Sequence, residues 1–257
     1  DLVIADLPDA DITDAAGYDS LLGAAKADVV LHCAAMTAVD LCETEVETAF
    51  RLNALGSGNV AAACFRNRVR LIALSTDYVF DGTLQRPYHE FDAANGGNTV
   101  YGQSKFAGEE MIRRHCPDHV IARISWLYGP GGPSFVHSML KLADGTRPVL
   151  KVVSDQQGNP TSTLAVAREL NTIIQHRELC GTFHLTCEGE ATWCEFAREI
   201  FRIRGIEQQV QPCSTAEFPR PAPRPANSRL EKRMLKLCQL PSMPDWREAL
   251  AEFLEIF

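Results

Sequence analysis

Several things a protein can be built on are scarce in this chain. No apolar run approaches the roughly 20 residues needed to span a bilayer. No basic stretch leading into an apolar one opens the sequence. Basic charge is in deficit, with 25 Lys and Arg against 33 Asp and Glu for a formal charge of −8. That balance argues against nonspecific nucleic-acid binding, though a local basic patch can still meet an anionic small molecule. Cysteine is present nine times, an odd number with no CxxC pair. A disulfide framework therefore fits poorly, and a reducing cytosol fits better. No set of His, Cys, Asp and Glu has the tight four-ligand spacing of a zinc site; His115 and His119 merely straddle Pro117. There is no internal repeat and no low-complexity tract. Also missing is a glycine-rich turn after a first strand: Gly56 and Gly58 lie inside a helical stretch, and Gly129–Gly132 leads into Pro133.

What is present is ordinary globular composition, 46% apolar and 23% charged over 257 residues, enough for one large domain or two unequal ones. Helical and buried-strand patterns alternate. Helices are expected at Ala15–Ala27, Glu45–Phe65 and Val100–His115. Buried, non-alternating strands are expected at Asp28–Cys33, Val69–Ser75 and Val120–Ser125. This is the βαβ pattern of a parallel sheet covered on both faces. The second half has another texture. Helices are read at Phe135–Leu142, Leu164–His176, Thr192–Arg204 and Pro244–Phe257, with short strands at Val149–Val153 and Thr182–Thr186. A proline-rich stretch, Pro212–Arg229, reads as loop over a surface. Asp155–Pro160 reads as a turn, and His184 as a core residue. The expected fold is α/β: a Rossmann-like doubly wound parallel sheet over 1–130, then mainly a smaller substrate-binding domain over 131–257, with some later segments returning to the sheet. Asp1–Asp6 reads as the end of a strand already under way. A first strand and its glycine turn are then expected upstream of Asp1, making the functional product longer by roughly 25–35 residues, the size of one βαβ opening.

One constellation carries chemistry. Tyr101 and Lys105 are four apart, so on a helix they share a face. An ammonium beside a phenol favours the phenolate and lowers its pKa. Alone, YxxxK is weak evidence. It gains weight because the preceding strand ends in Ser75-Thr76-Asp77, where ligands of open α/β sheets bind, so that Thr76 can share the oxygen that Tyr101 serves. Asp28–Ala35 ends in small residues, as if a flat group approached the backbone. Asp11-Ile12-Thr13 is suited to edge a purine, or simply to cap a helix. Arg220, Arg224 and Arg229 are candidates for phosphate contacts by charge and fork geometry, or members of a solvated loop.

The sequence resembles the extended short-chain dehydrogenase/reductases, and within them the dTDP-4-dehydrorhamnose reductases. The matching stretches run from Asp11 to the end: DITD at 11–14, AAMTAVD at 34–40, STDYVFDG at 75–82, YGQSK at 101–105, SWLYG at 125–129, VSDQQGNPT at 153–161, GTFHL at 181–185, RPANSRL at 224–230 and PDWREAL at 244–250. The resemblance implies that Tyr101 gives a proton to the C4 carbonyl oxygen of dTDP-4-dehydro-L-rhamnose. It implies that Lys105 holds the nicotinamide ribose and lowers the Tyr101 pKa, and that Thr76 holds the carbonyl. NADPH (or NADH) would deliver hydride. Asp11 and Ile12 would flank adenine, and Cys33, Ala34 and Ala35 would line the cofactor cleft. Thr37, Val39, Asp77, Tyr78 and Trp126 would shape the sugar site. Members form homodimers, in some cases with Mg2+. Two departures stand out: Ser134 where the family has Asn, and Met36 where it has Tyr.

Two alternatives stay open. An epimerase or dehydratase shares Tyr and Lys, although a dehydratase needs Asp-Glu after the threonine and here Asp77-Tyr78 follows. A non-catalytic regulatory subunit of the same fold binds cofactor without turnover; intact Thr76, Tyr101 and Lys105 argue against it.

Overall fold

The computed structural model describes residues 2–256. Helix α1 (Ala15–Ala25) is started by Asp14, whose carboxylate accepts from the Gly17 backbone N–H, the preferred chemistry for a helix N-terminus. Strand β1 (Val29–His32) follows. Then come α2 (Val39–Cys42), α3 (Val46–Phe50), a π-helical turn at Arg51–Gly56 and α4 (Ser57–Asn67). The helix expected at Glu45–Phe65 is therefore interrupted. The wider turn seats Asn53, whose side chain is spent on tertiary hydrogen bonds described below. Strand β2 (Arg70–Thr76) leads to a short 3-10 turn at Asp77–Val79 and on to α5 (Val100–His115), which is followed by β3 (His119–Ile124).

In the second half the strands are β4 (Leu127–Tyr128), β5 (Val149–Val153), β6 (Gln157–Gly158), β7 (Thr161–Ser162), β8 (Gly181–His184), β9 (Ala191–Thr192) and β10 (Gln209–Cys213). The helices are α6 (Phe135–Leu142), α7 (Thr163–Gln175), α8 (Trp193–Arg204), α9 (Arg233–Leu237) and α10 (Trp246–Ile256). Thr192 and Glu195 form a reciprocal capping box at the start of α8. No helix among the described residues is long and apolar enough to cross a membrane.

The main sheet has the order β1-β2-β3-β8, and every neighbouring pair is parallel. Ile72, Val120 and Ala122 enter one core cluster, whereas Leu71, Ala73 and Ile121 enter another on the opposite face. Both faces are covered, which is why these strands read as unbroken apolar runs. β8 is contributed by the second half of the chain. The fully buried Arg70 of β2 also donates to the carbonyls of Ile173 and Leu179, at 2.9 and 2.6 Å. Later segments thus return to the sheet: one core cluster draws on both halves, whereas the cluster on the opposite face comes from the first half alone.

Of the strand end expected at Asp1–Asp6, Asp1 lies outside the described residues and residues 2–6 are not in a strand. Residues 2–6 have no ladder partner, and Leu2, Val3 and Ile4 are exposed. A strand needs a neighbour for its backbone groups. β1 pairs only with β2 among the described residues and leaves Leu31 half exposed at the sheet edge.

Candidate active site

The site is assembled where β2 ends. Thr76 closes the strand and its hydroxyl accepts from the Tyr78 N–H at 3.2 Å. Helix α5 starts at Val100, with Thr99 accepting from the Gly102 N–H at 3.0 Å and the Glu43 carboxylate accepting from the Val100 N–H at 2.9 Å. Two of the orphan donors of the first turn are thereby satisfied. A Cβ on Gly102 would lie 2.2 Å from the Tyr78 carbonyl oxygen. Only glycine lets this turn press so closely on the loop after β2. The Tyr101 phenol stands near enough to the Thr76 side chain for that group to oppose the effect of burial on its pKa.

Lys105, one turn further along α5, is buried, and its Nζ donates to the Leu74 carbonyl of β2 at 2.8 Å. Burial pulls its pKa down to about 8 against the charges of Glu109 and Cys33. Tyr101 behaves differently from the sequence expectation. Burial pushes its pKa up, outweighing the Thr76 hydrogen bond. The ammonium is turned to a backbone carbonyl, so it does not draw the phenol toward phenolate.

Asp77 is buried beside them. The Thr76 hydroxyl lies 3.1 Å from one carboxylate oxygen. Burial raises its pKa to about 6, in spite of Ser228, Thr76 and Ser125 against it. The ring of Tyr78 stands edge-on to Tyr101 with centroids 5.5 Å apart. Behind these groups, Glu109 accepts from Ser75, Arg123 and Arg113 at 2.6–2.9 Å. Burial works against its ionisation, yet Arg123, Arg113 and Ser75 hold its pKa at about 2.

A cavity of about 870 Å3 opens in front of Asp77 and Tyr78. Trp126 stacks on Trp193 at one wall, with centroids 3.5 Å apart and planes 9° from parallel. Trp126 adopts φ 48°, a backbone state rarely taken by a bulky residue. A Cβ on Gly158 would lie 2.4 Å from the Trp126 ring, so glycine makes room for the indole. The Trp193 Nε1 donates to Gln156 at 3.0 Å and Gln156 donates to Thr215 at 2.9 Å. Tyr101 and Thr76 adjoin this space through Tyr78 and Asp77, which line it.

The remaining expected residues fall as follows. Cys33 and Ala34 are exposed and Ala35 half-buried, so small side chains face outward after β1, with Cys33 near Lys105. Such a surface fits the flat face of a dinucleotide. Asp11 is exposed and accepts from the Thr13 N–H and hydroxyl, both at 2.8 Å; the cap of α1 is Asp14. Ile12 is buried among core residues, so little of it is left to face a ligand. Thr37 is exposed and Val39 half-buried, the latter packed with Met36 against Cys42, Ala49 and Tyr101. Ser134 caps α6 and shares a 2.7 Å contact with His137. Arg220 and Arg224 line the cavity, whereas Arg229 pairs with Glu190. Among the described residues no group of three or more His, Cys, Asp or Glu is placed to hold a metal ion.

Two contributors escape a reading of the sequence. Trp193 reads there only as part of an apolar helix face. Asn53 is inconspicuous within a helical pattern, yet it is fully buried. Its side chain accepts from Met36 N, and donates to Met36 O and to the Ser104 hydroxyl, at 2.8–3.1 Å. It thus fastens the loop after β1 to the helix of Tyr101. Neither has a local sequence signal, since both act through residues far along the chain.

The family model described as RmlD substrate binding domain matches residues 1–257. A dTDP-4-dehydrorhamnose reductase of Sinorhizobium fredii is 40% identical over 252 residues, covering 94% of this chain and 84% of that protein. Among solved structures, a dTDP-4-dehydrorhamnose reductase from Clostridium acetobutylicum is 42% identical with a TM-score of 0.94, covering 98% of this chain and 89% of that one. The Bacillus anthracis dTDP-4-dehydrorhamnose reductase, solved in complex with NADP, is 36% identical with a TM-score of 0.95, over 98% and 89% of the two chains. Sequence and fold agree along the whole chain, and it belongs to the RmlD substrate binding domain family.

Proposed function

We propose that this chain is a dTDP-4-dehydrorhamnose reductase, reducing the C4 carbonyl of dTDP-4-dehydrorhamnose to a hydroxyl at the expense of NADPH. The observation that carries the reading is the placement of the Tyr101 phenol against Thr76, with Lys105 one helical turn away, at the carboxyl end of β2.

When bound, the nicotinamide supplies hydride to C4. Thr76 donates to the carbonyl oxygen and fixes it beside Tyr101. Burial keeps the phenol protonated at neutral pH, which a proton donor requires. Its proton passes to the oxygen as negative charge develops there, while Lys105, turned to the Leu74 carbonyl, serves the cofactor rather than the phenol. Lys105, Cys33, Ala34 and Ala35 would hold the ribose and nicotinamide side of the cofactor, and Asp11 the adenosine side. Asp77, Tyr78, Trp126, Thr37 and Val39 would shape the sugar subsite. The nucleotide end would lie along the Trp126–Trp193 stack, near Arg220 and Arg224.

The reading extends to a homodimer working in the cytoplasm. A groove of about 680 Å3, apolar at Phe50, Leu55, Phe106 and Met111 and edged by Arg51, Glu110 and Arg114, is the surface on which two copies would pair, and the nine unpaired cysteines suit a reducing compartment. The test is stoichiometric. Each dTDP-4-dehydrorhamnose consumed should oxidise one NADPH and yield one dTDP-rhamnose. Product formed without net NADPH loss would mean an epimerase, and no turnover with retained NADPH binding would mean a regulatory subunit.

A further inference from the structure

Prolines occupy every second position from Pro219 to Pro225, leaving backbone N–H groups only at Arg220, Ala222 and Arg224. Such a strap cannot fasten itself by a helix or a sheet ladder, yet it forms a wall of the 870 Å3 cavity. Something outside it must hold it in place.

One end is tied at Thr215, whose N–H and hydroxyl donate to the Asp155 carboxylate at 2.6–3.0 Å. Phe218, Pro219 and Arg220 then run exposed. At the other end a single carboxylate makes two connections. Asp40 of α2, itself on the cavity wall, accepts the N–H of the fully buried Ala222 at 3.2 Å on one oxygen. Its other oxygen lies 3.0 Å from Arg224 Nη2. The same guanidinium donates from Nη1 to the Ala222 carbonyl at 2.9 Å, closing the loop on itself. Asp40 therefore bridges the β1 side of the molecule to the strap.

The electrostatics are consistent with that duty. A lone carboxylate on this wall would repel a substrate that carries phosphates. Arg224 cancels the charge while it completes the attachment.

We propose that Asp40 is the latch of the strap. It is a positioning residue that keeps the 219–225 wall against the cavity, and so sets affinity for the nucleotide sugar without taking part in the chemistry. The choice of ligand rests on the reductase reading above; the latch itself does not.

The experiment has two arms on the full chain. Amide hydrogen exchange of the peptide spanning 214–228, without ligand, reports the latch. Asp40→Ala should speed exchange of the Ala222 amide within this segment about tenfold or more, the loss expected for a hydrogen bond and its ion pair. Asp40→Asn keeps an oxygen for Ala222 and should speed it less. Arg224→Gln, which leaves Asp40 intact, gives an independent variant should Asp40→Ala fail to fold, and should also loosen the strap. Steady-state kinetics report the consequence. The KM for dTDP-4-dehydrorhamnose should rise about tenfold in Asp40→Ala and about threefold in Asp40→Asn, with kcat and the NADPH KM within about twofold of wild type. Unchanged exchange in both Asp40→Ala and Arg224→Gln overturns the latch. Faster exchange with an unchanged sugar-nucleotide KM overturns the strap's role in affinity. A wild type that turns over nothing refutes the reductase reading, while the exchange arm still judges the latch.

Discussion

The two halves of the molecule build their parts of the site in opposite ways. In the first half, Thr76, Tyr101 and Lys105 stand on regular elements, the end of one strand and the first turns of one helix. In the second half, the cavity wall is collected from a residue in a left-handed backbone state, the first residue of α8 and a strap without secondary structure. Rigid elements suit the groups that must meet reacting atoms within a fraction of an ångström. Loops suit the part that recognises a particular substrate and differs between relatives. The residues on β2 and α5 should therefore govern the rate of chemistry, and the irregular cavity wall affinity.

The largest effect is expected in the first half. Lys105→Met should lower kcat at least about a hundredfold, as the cofactor ribose loses an anchor and the hydride donor its alignment. Because Met avoids burying an ammonium, the melting temperature should hold or rise. A drop in stability that matches the drop in rate would mean that Lys105 is structural.

Asp77 lies on the seam and gives a pH-dependent prediction. Burial raises its pKa from 3.8 in the unfolded chain to about 6 in the folded one. Between those values the folded state binds more protons, so stability falls as pH rises through the window and the cost persists above it. Asp77→Asn should then stabilise the protein at pH 7.5 by about 2–3 kcal/mol, since each pKa unit between the folded and unfolded states is equivalent to about 1.4 kcal/mol. The advantage should shrink to about 0.5 kcal/mol near pH 4, close to the unfolded pKa. Melting curves at the two pH values check it, and an equal gain at both would contradict the burial argument.

A smaller effect belongs to the second half. Gly158→Ala pushes a methyl into the Trp126 ring and should cost about 1–3 kcal/mol as the ring moves off Trp193. The sugar-nucleotide KM should rise while kcat stays near wild type. A fall in kcat with an unchanged KM would break the division between the halves.

This contrast also explains what could be read from the sequence. β2 and β3 are legible because both faces of the sheet are buried, leaving unbroken apolar runs. The Tyr101–Lys105 pair is legible because a helix fixes the geometry of residues four apart. The π-turn at Arg51–Gly56 is not, since its cause is the set of tertiary hydrogen bonds made by Asn53. The strand read at Asp1–Asp6 has the right residues and no partner among those described. The Trp126–Trp193 stack joins residues 67 positions apart, and no periodicity reports such a contact. The direction of the Tyr101 pKa also lies beyond sequence, because it turns on where the Lys105 ammonium points.

The central claim concerns the source of the proton. It is tested most directly by the single-turnover rate of NADPH oxidation by Tyr101→Phe, with saturating dTDP-4-dehydrorhamnose. Phenylalanine keeps the ring against Tyr78 and removes only the hydroxyl. The account predicts a rate lower by roughly 10²–10⁴-fold with sugar-nucleotide binding preserved; a rate equal to that of the unaltered chain would contradict it.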